Sequence, residues 1–71
     1  MVAFDDNGKI DILGLLPDEL EAEILKLGEK RFRAGQIFDW LHVKRVSSFD
    51  EMTNLSVQLR NLLNEKFCLK S

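Results

Sequence analysis

Three short runs of apolar residues recur at helical spacing, and they leave this chain little choice of architecture. Leu20, Ile24 and Leu27 form the first, Ala34, Ile37, Phe38 and Leu41 the second, and Leu59, Leu62, Leu63 and Phe67 the third. Each run closes onto one face at about 100° per residue. A stripe that narrow does not hold an isolated helix in water, so the three helices must bury their stripes against one another. The reading is an all-α fold, a small bundle of three main helices plus one short helical turn.

The punctuation between the stripes agrees with this. Pro17 suits the first position of a helix, where its missing N–H costs nothing, and Asp18 and Glu19 complement the positive end of the dipole. That helix is expected over about residues 17–27, with Gly28 free to take the left-handed turn that stops it. Its start is weak, because Leu16 at the cap position has no side-chain oxygen, where Ser or Thr would contribute ~1 kcal/mol. The second helix is expected from about Ala34 to Lys44. Ser48 with Glu51 three residues later reads as a capping box, placing a short helical turn at Phe49–Met52 that Thr53 and Asn54 break. Ser56 caps a third helix expected from about Val57 to Phe67.

Nothing but the apolar core can hold these helices together. The single cysteine, Cys68, excludes an internal disulfide, and one cysteine with one histidine cannot make a zinc site. With 71 residues the chain is one domain and buries only about 60% of its unfolded surface, so caps, five Phe and one Trp weigh heavily. The expected layout is a flexible N-terminal arm over residues 1–9 and a single helical domain over residues 10–71. Asn7-Gly8 could turn a hairpin, but its flanks are too short to stabilise one. No apolar run approaches the ~20 residues that cross a bilayer, and Asp5 and Asp6 stand where a secretory signal would carry cations. The chain therefore reads as a cytoplasmic monomer with no membrane partner.

Charge is segregated along the chain. Residues 1–29 carry eight acids and two bases, whereas residues 30–45 carry Lys30, Arg31, Arg33, Lys44 and Arg45 against Asp39 alone. Half of all the cations thus lie in sixteen residues, within a chain whose net charge is -2. That patch is the strongest functional signal.

Catalytic signals are missing by comparison. There is no glycine-rich phosphate loop and no nucleophile–base pattern, and one cysteine cannot ligate an iron–sulfur cluster. Glu19, Glu21 and Glu23 are expected on a solvated arc, useless as neutral-pH bases. Cys68 is expected to be structural, and His42 exposed and uninvolved.

The cationic patch has an organisation of its own. On a helical projection Arg33, Gln36, Trp40 and Lys44 fall within roughly 80° of one another, beside the core stripe. Cations meet phosphates, the amide meets base edges or 2′-hydroxyls, and the indole offers a stacking surface, a set suited to RNA. Lys30, Arg31 and Arg45 flank that stripe. Two readings of Trp40 hold together: a wedge packing against a neighbouring element, and a contact residue.

The string Gly28-Glu29-Lys30-Arg31-Phe32-Arg33-Ala34-Gly35-Gln36-Ile37-Phe38-Asp39-Trp40, followed by Phe49-Asp50-Glu51-Met52-Thr53-Asn54-Leu55-Ser56, closely resembles the N-terminal accessory domain of the dual-specificity RNA methyltransferases. These are radical S-adenosylmethionine enzymes that methylate carbon 2 of an adenine in large-subunit ribosomal RNA and in some transfer RNAs. The resemblance spans Lys9 to about Phe67. It implies an all-helical, helix-hairpin-helix-like domain ahead of a catalytic barrel, helping to hold ribosomal RNA and transfer RNA. It also implies that the 4Fe-4S cluster and S-adenosylmethionine belong to the barrel, with no cofactor in this fragment, since none of the family's functional cysteines matches Cys68. The RNA-contact set expected from the cationic segment and its helical stripe is Lys30, Arg31, Arg33, Gln36, Trp40, Lys44 and Arg45. Arg31 stands where many relatives have proline, Gly35 replaces a polar residue, and Leu41-His42 replaces a frequent aromatic pair. A different class of function also fits: a protein-contact module that docks on the barrel or another partner without touching RNA. A free-standing DNA-binding domain is disfavoured by the net acidity and the absence of a second basic helix.

Overall fold

A computed structural model describes residues 8–70. The Asn7-Gly8 turn and most of the expected arm involve residues outside that range. In chain order the elements are β1 (Ile10–Asp11), a 3-10 turn (Ile12–Gly14), α1 (Pro17–Lys26), α2 (Arg31–His42), a second 3-10 turn (Phe49–Glu51), α3 (Val57–Lys66) and β2 (Phe67–Cys68). The fold is mainly helical, with three helices as the stripes require.

α1 begins at Pro17, and the chain supplies from within the helix what Leu16 lacks. The Glu19 carboxylate reaches back to accept the Leu16 N–H at 2.8 Å. At the other end Gly28 adopts φ +83°, and the N–H groups of Gly28 and Glu29 donate to the carbonyls of Leu25 and Ile24.

α2 starts at Arg31, three residues before the apolar stripe begins, and ends at His42. The Lys30 carbonyl already accepts the Arg33 N–H at 3.0 Å. Arg31 and Arg33 are good helix formers whose outward side chains leave no trace in an apolar pattern, which is why the stripe misplaces the boundary. Beyond His42 the N–H groups of Val43 and Lys44 both donate to the Asp39 carbonyl, and Arg45 takes a left-handed φ of 54° that turns the chain away.

The Ser48–Glu51 pairing forms as a 3-10 turn. Glu51 Oε2 accepts the Ser47 N–H, the Ser47 hydroxyl and the Ser48 N–H, each at 2.9 Å. The Ser47 hydroxyl above all, then the backbone N–H groups, hold the Glu51 carboxyl below the usual carboxylate range. Ser56 Oγ caps α3 by accepting the Leu59 N–H at 3.1 Å. α3 stops at Lys66, one residue short of expectation, because the Phe67 backbone is drawn out to pair in parallel with Ile10, while Asp11 pairs with Cys68. Asp11 reinforces this clasp: only 6% exposed, its Oδ1 accepts the N–H groups of Leu13 and Lys70. Lys9 Nζ donates to the Asn64 carbonyl at 2.8 Å near the end of α3.

The core takes Leu20 and Ile24 from α1, Ala34, Ile37 and Leu41 from α2, and Leu59 and Leu63 from α3, with Phe67 closing it. Leu62, expected in the stripe, is only half-buried, and Leu27 and Phe38 sit at the margin. Their places are taken by Ile12, Leu15, Phe49, Met52 and Leu55 from the non-helical segments. α1 packs chiefly on α2, so the middle helix is covered on one flank and offers another. Among the described residues no helix is long and apolar enough to cross a membrane.

Candidate nucleic-acid interface

One flank of α2 carries Arg33, Gln36 and Trp40, while Lys44, expected on the same helix, lies two residues beyond its end at His42; their side chains are joined directly or through Asn54. Arg33 Nη1 donates to Gln36 Oε1 at 2.8 Å and to the Asn54 carbonyl at 3.5 Å. The Trp40 indole N–H donates to Asn54 Oδ1 at 2.7 Å. Lys44 Nζ lies 4.2 Å from the centroid of the Trp40 ring, a cation–π contact. Asn54 thus ties the ridge to the segment between the second 3-10 turn and α3. Sequence reasoning missed it, since an asparagine after a helical turn reads as a breaker and its partner lies fourteen residues away. The only signal was its place in the Phe49–Ser56 string.

Trp40 is half-buried and packs against the core with its indole N–H hydrogen-bonded, so the wedge reading of this residue is the one the structure shows, and its ring also carries Lys44. A ring used in this way keeps little open face.

The remaining cations are placed differently. Arg31 lies about 160° around α2 from Arg33, and its Nε pairs across to Glu21 of α1 at 3.1 Å. It stands apart from the ridge. Lys44 also pairs with Asp39 at 3.2 Å. Lys30, at the cap of α2, and Arg45, in the turn after it, are exposed, and Arg33 is half-buried. Among the described residues these three form no ion pair, so the cationic character of the segment survives in part. The two ion pairs of this segment are surface contacts worth little, on the order of 0–1 kcal/mol each, and a polyanion can compete for them.

One expectation needs correction here. Glu19, Glu21 and Glu23 are half-buried and engaged, with the Leu16 N–H, Arg31 and Lys26 respectively, rather than freely solvated. His42 is exposed as expected, and its ring lies 4.3 Å from that of Phe38. Phe32, which the stripes left unassigned, is 55% exposed, with the Arg33 guanidinium 4.7 Å from its ring centroid. Among the described residues no group of three or more His, Cys, Asp or Glu side chains could hold a metal ion.

A short clasp, three packed helices and a cross-linked cationic flank on the middle one define a small helical domain. The family described as the ribosomal RNA large subunit methyltransferase N-terminal domain matches residues 10–69, and the chain belongs to that family. The chain is 58% identical over 59 residues to the probable dual-specificity RNA methyltransferase RlmN of Streptococcus agalactiae, covering 83% of this chain and 16% of that protein. Its counterpart in Lachnoclostridium phytofermentans is 54% identical over 83% of this chain and 17% of its own length. A crystal structure of a radical SAM methyltransferase from Sphaerobacter thermophilus superposes with a TM-score of 0.80 at 33% identity, over 84% of this chain and 18% of that one. The chain therefore spans about a sixth of the length of the curated relatives it matches.

Proposed function

We propose that this domain grips structured RNA for a methyltransferase that modifies carbon 2 of adenine in large-subunit ribosomal RNA and transfer RNA. The observation that carries this reading is the lattice in which Asn54 fixes Trp40 and Arg33 while Trp40 seats Lys44. Cations held in place lose less freedom on meeting phosphates than free surface lysines do. Gln36 gives its Oε1 to Arg33, which leaves its amide N–H groups to donate to a phosphate, a 2′-hydroxyl or a base acceptor. Lys30 and Arg45 extend the cationic track beyond both ends of α2.

The catalytic chemistry belongs to another part of such an enzyme. A radical S-adenosylmethionine enzyme of this class needs three cysteine thiolates for its 4Fe-4S cluster, and the residues of this chain do not fit that group because Cys68 is the single cysteine. The domain's task in the proposal is to bind and orient RNA. A second contact, with the catalytic barrel, is favoured by Leu16 and Leu25, which stand 67% and 47% exposed at the start and near the end of α1.

The test is a salt-dependent titration with a ribosomal RNA hairpin and a transfer RNA. Trp40 is the sole tryptophan in a chain without tyrosine, so its emission reports directly on the ridge. The expected result is affinity that falls with salt, an emission change, and amide shifts clustered at residues 30–45 and Asn54. Small uniform shifts would refute the reading. Charge reversal at Arg33 and Lys44 should abolish binding, whereas reversal at Asp18 should spare it; the opposite pattern would favour a protein-docking role.

A further inference from the structure

We infer that Phe32 is a stacking platform for an unpaired nucleobase. The inference rests on the RNA reading above and sharpens it from a charged track to a site that selects single-stranded features.

Phe32 occupies the first turn of α2, is 55% exposed, and does not belong to the set of side chains packed on the core. Its ring is nonetheless oriented. The Arg33 guanidinium lies 4.7 Å from the ring centroid, and Arg33 is itself anchored by Gln36 and Asn54. One side of the ring is therefore backed by a fixed cation, while more than half of the residue's surface stays open to solvent. Trp40, the other candidate for stacking, is spent on the core, on Asn54 and on Lys44.

The surroundings choose the partner. Lys30, Arg31 and Arg33 lie immediately around Phe32 in sequence and only Arg31 has a carboxylate partner, so a base stacked on the ring brings phosphates to cations that a protein surface would have to match with acids.

The experiment compares two probes at matched salt, an RNA hairpin with an unpaired loop and a blunt RNA duplex with the same number of phosphates. The wild-type chain should prefer the hairpin. Phe32→Leu should weaken hairpin binding by roughly fivefold or more, leave duplex binding and the thermal midpoint unchanged, and keep the salt slope. Phe32→Trp should retain the preference and add loop-dependent quenching beyond that of Trp40. If Phe32→Leu binds both probes like wild type while Arg33→Gln weakens both, the RNA reading stands and stacking is overturned, with Phe32 left as a protein contact. If the wild-type chain binds neither probe in a salt-dependent way, the RNA reading itself fails and the platform with it.

Discussion

The two sides of α2 are built by different means. On its inner side Ala34, Ile37 and Leu41 are at most 6% exposed, and their positions are set by close packing with α1, α3 and the loops. On its free flank Arg33, Gln36 and Trp40, with Lys44 just past its end, are positioned by hydrogen bonds and one cation–π contact, with Asn54 as the anchor. A core side chain is held because there is nowhere else for it to go, and its loss is felt by the whole domain. A ridge side chain is held by a few directional contacts, so its loss should register in affinity while the fold persists. One helix of twelve residues thus separates stability from function by rotation about its own axis.

The sharpest way to break that separation is Ile37→Ala. Ile37 is fully buried, so truncation should cost about 2–5 kcal/mol and unfold much of a domain this small, as read by thermal or urea denaturation monitored by circular dichroism. A midpoint within a few degrees of wild type would refute the packing account. On the other side, Arg33→Gln should leave stability within about 0.5 kcal/mol of wild type but reduce the slope of log affinity against log salt by roughly 0.7–0.9, the contribution of one phosphate contact. A smaller and opposite effect is expected from Gly35→Ala, which should raise stability by up to ~1 kcal/mol since a Cβ there meets open space.

The smallest effect concerns pH. The folded-state pKa of Glu51 is lowered by its Ser47 and Ser48 hydrogen bonds. The contribution is therefore fully present above the ordinary carboxylate value of 4.5 and is lost as pH falls through the lower folded value. In Glu51→Gln, stability measured from pH 7 down into the acid range should lose that part of its decline. An unchanged pH profile would show that the clamp contributes nothing.

Much of the fold was readable because helices declare themselves through apolar spacing. Pro17, Gly28, Ser48 with Glu51, and Ser56 each mark the boundary or turn where the structure has one. The start of α2 was misplaced because Arg31 and Arg33 face outward, and the end of α3 because Phe67 keeps its place in the core after its backbone has left the helix. The β1–β2 clasp gave no warning, since two-residue strands far apart in the chain have no period to detect. The ridge was half visible: Arg33, Gln36, Trp40 and Lys44 share a face by arithmetic, but Asn54 lies in a loop, and no pattern in one element reveals a hydrogen bond to another. Arg31 shows the converse, a cation near in sequence to the ridge that folding turns toward Glu21.

The parallel pairing of Ile10 with Phe67 and Asp11 with Cys68 also has a mechanical meaning. A pull on the residue before Ile10 and on the one after Cys68 draws the two strands along their length in opposite directions. All the bonds between them are then strained together in shear, instead of opening one by one as in a peel. Tension applied through the two ends therefore meets a latch, and the helices it encloses are shielded until that latch gives way.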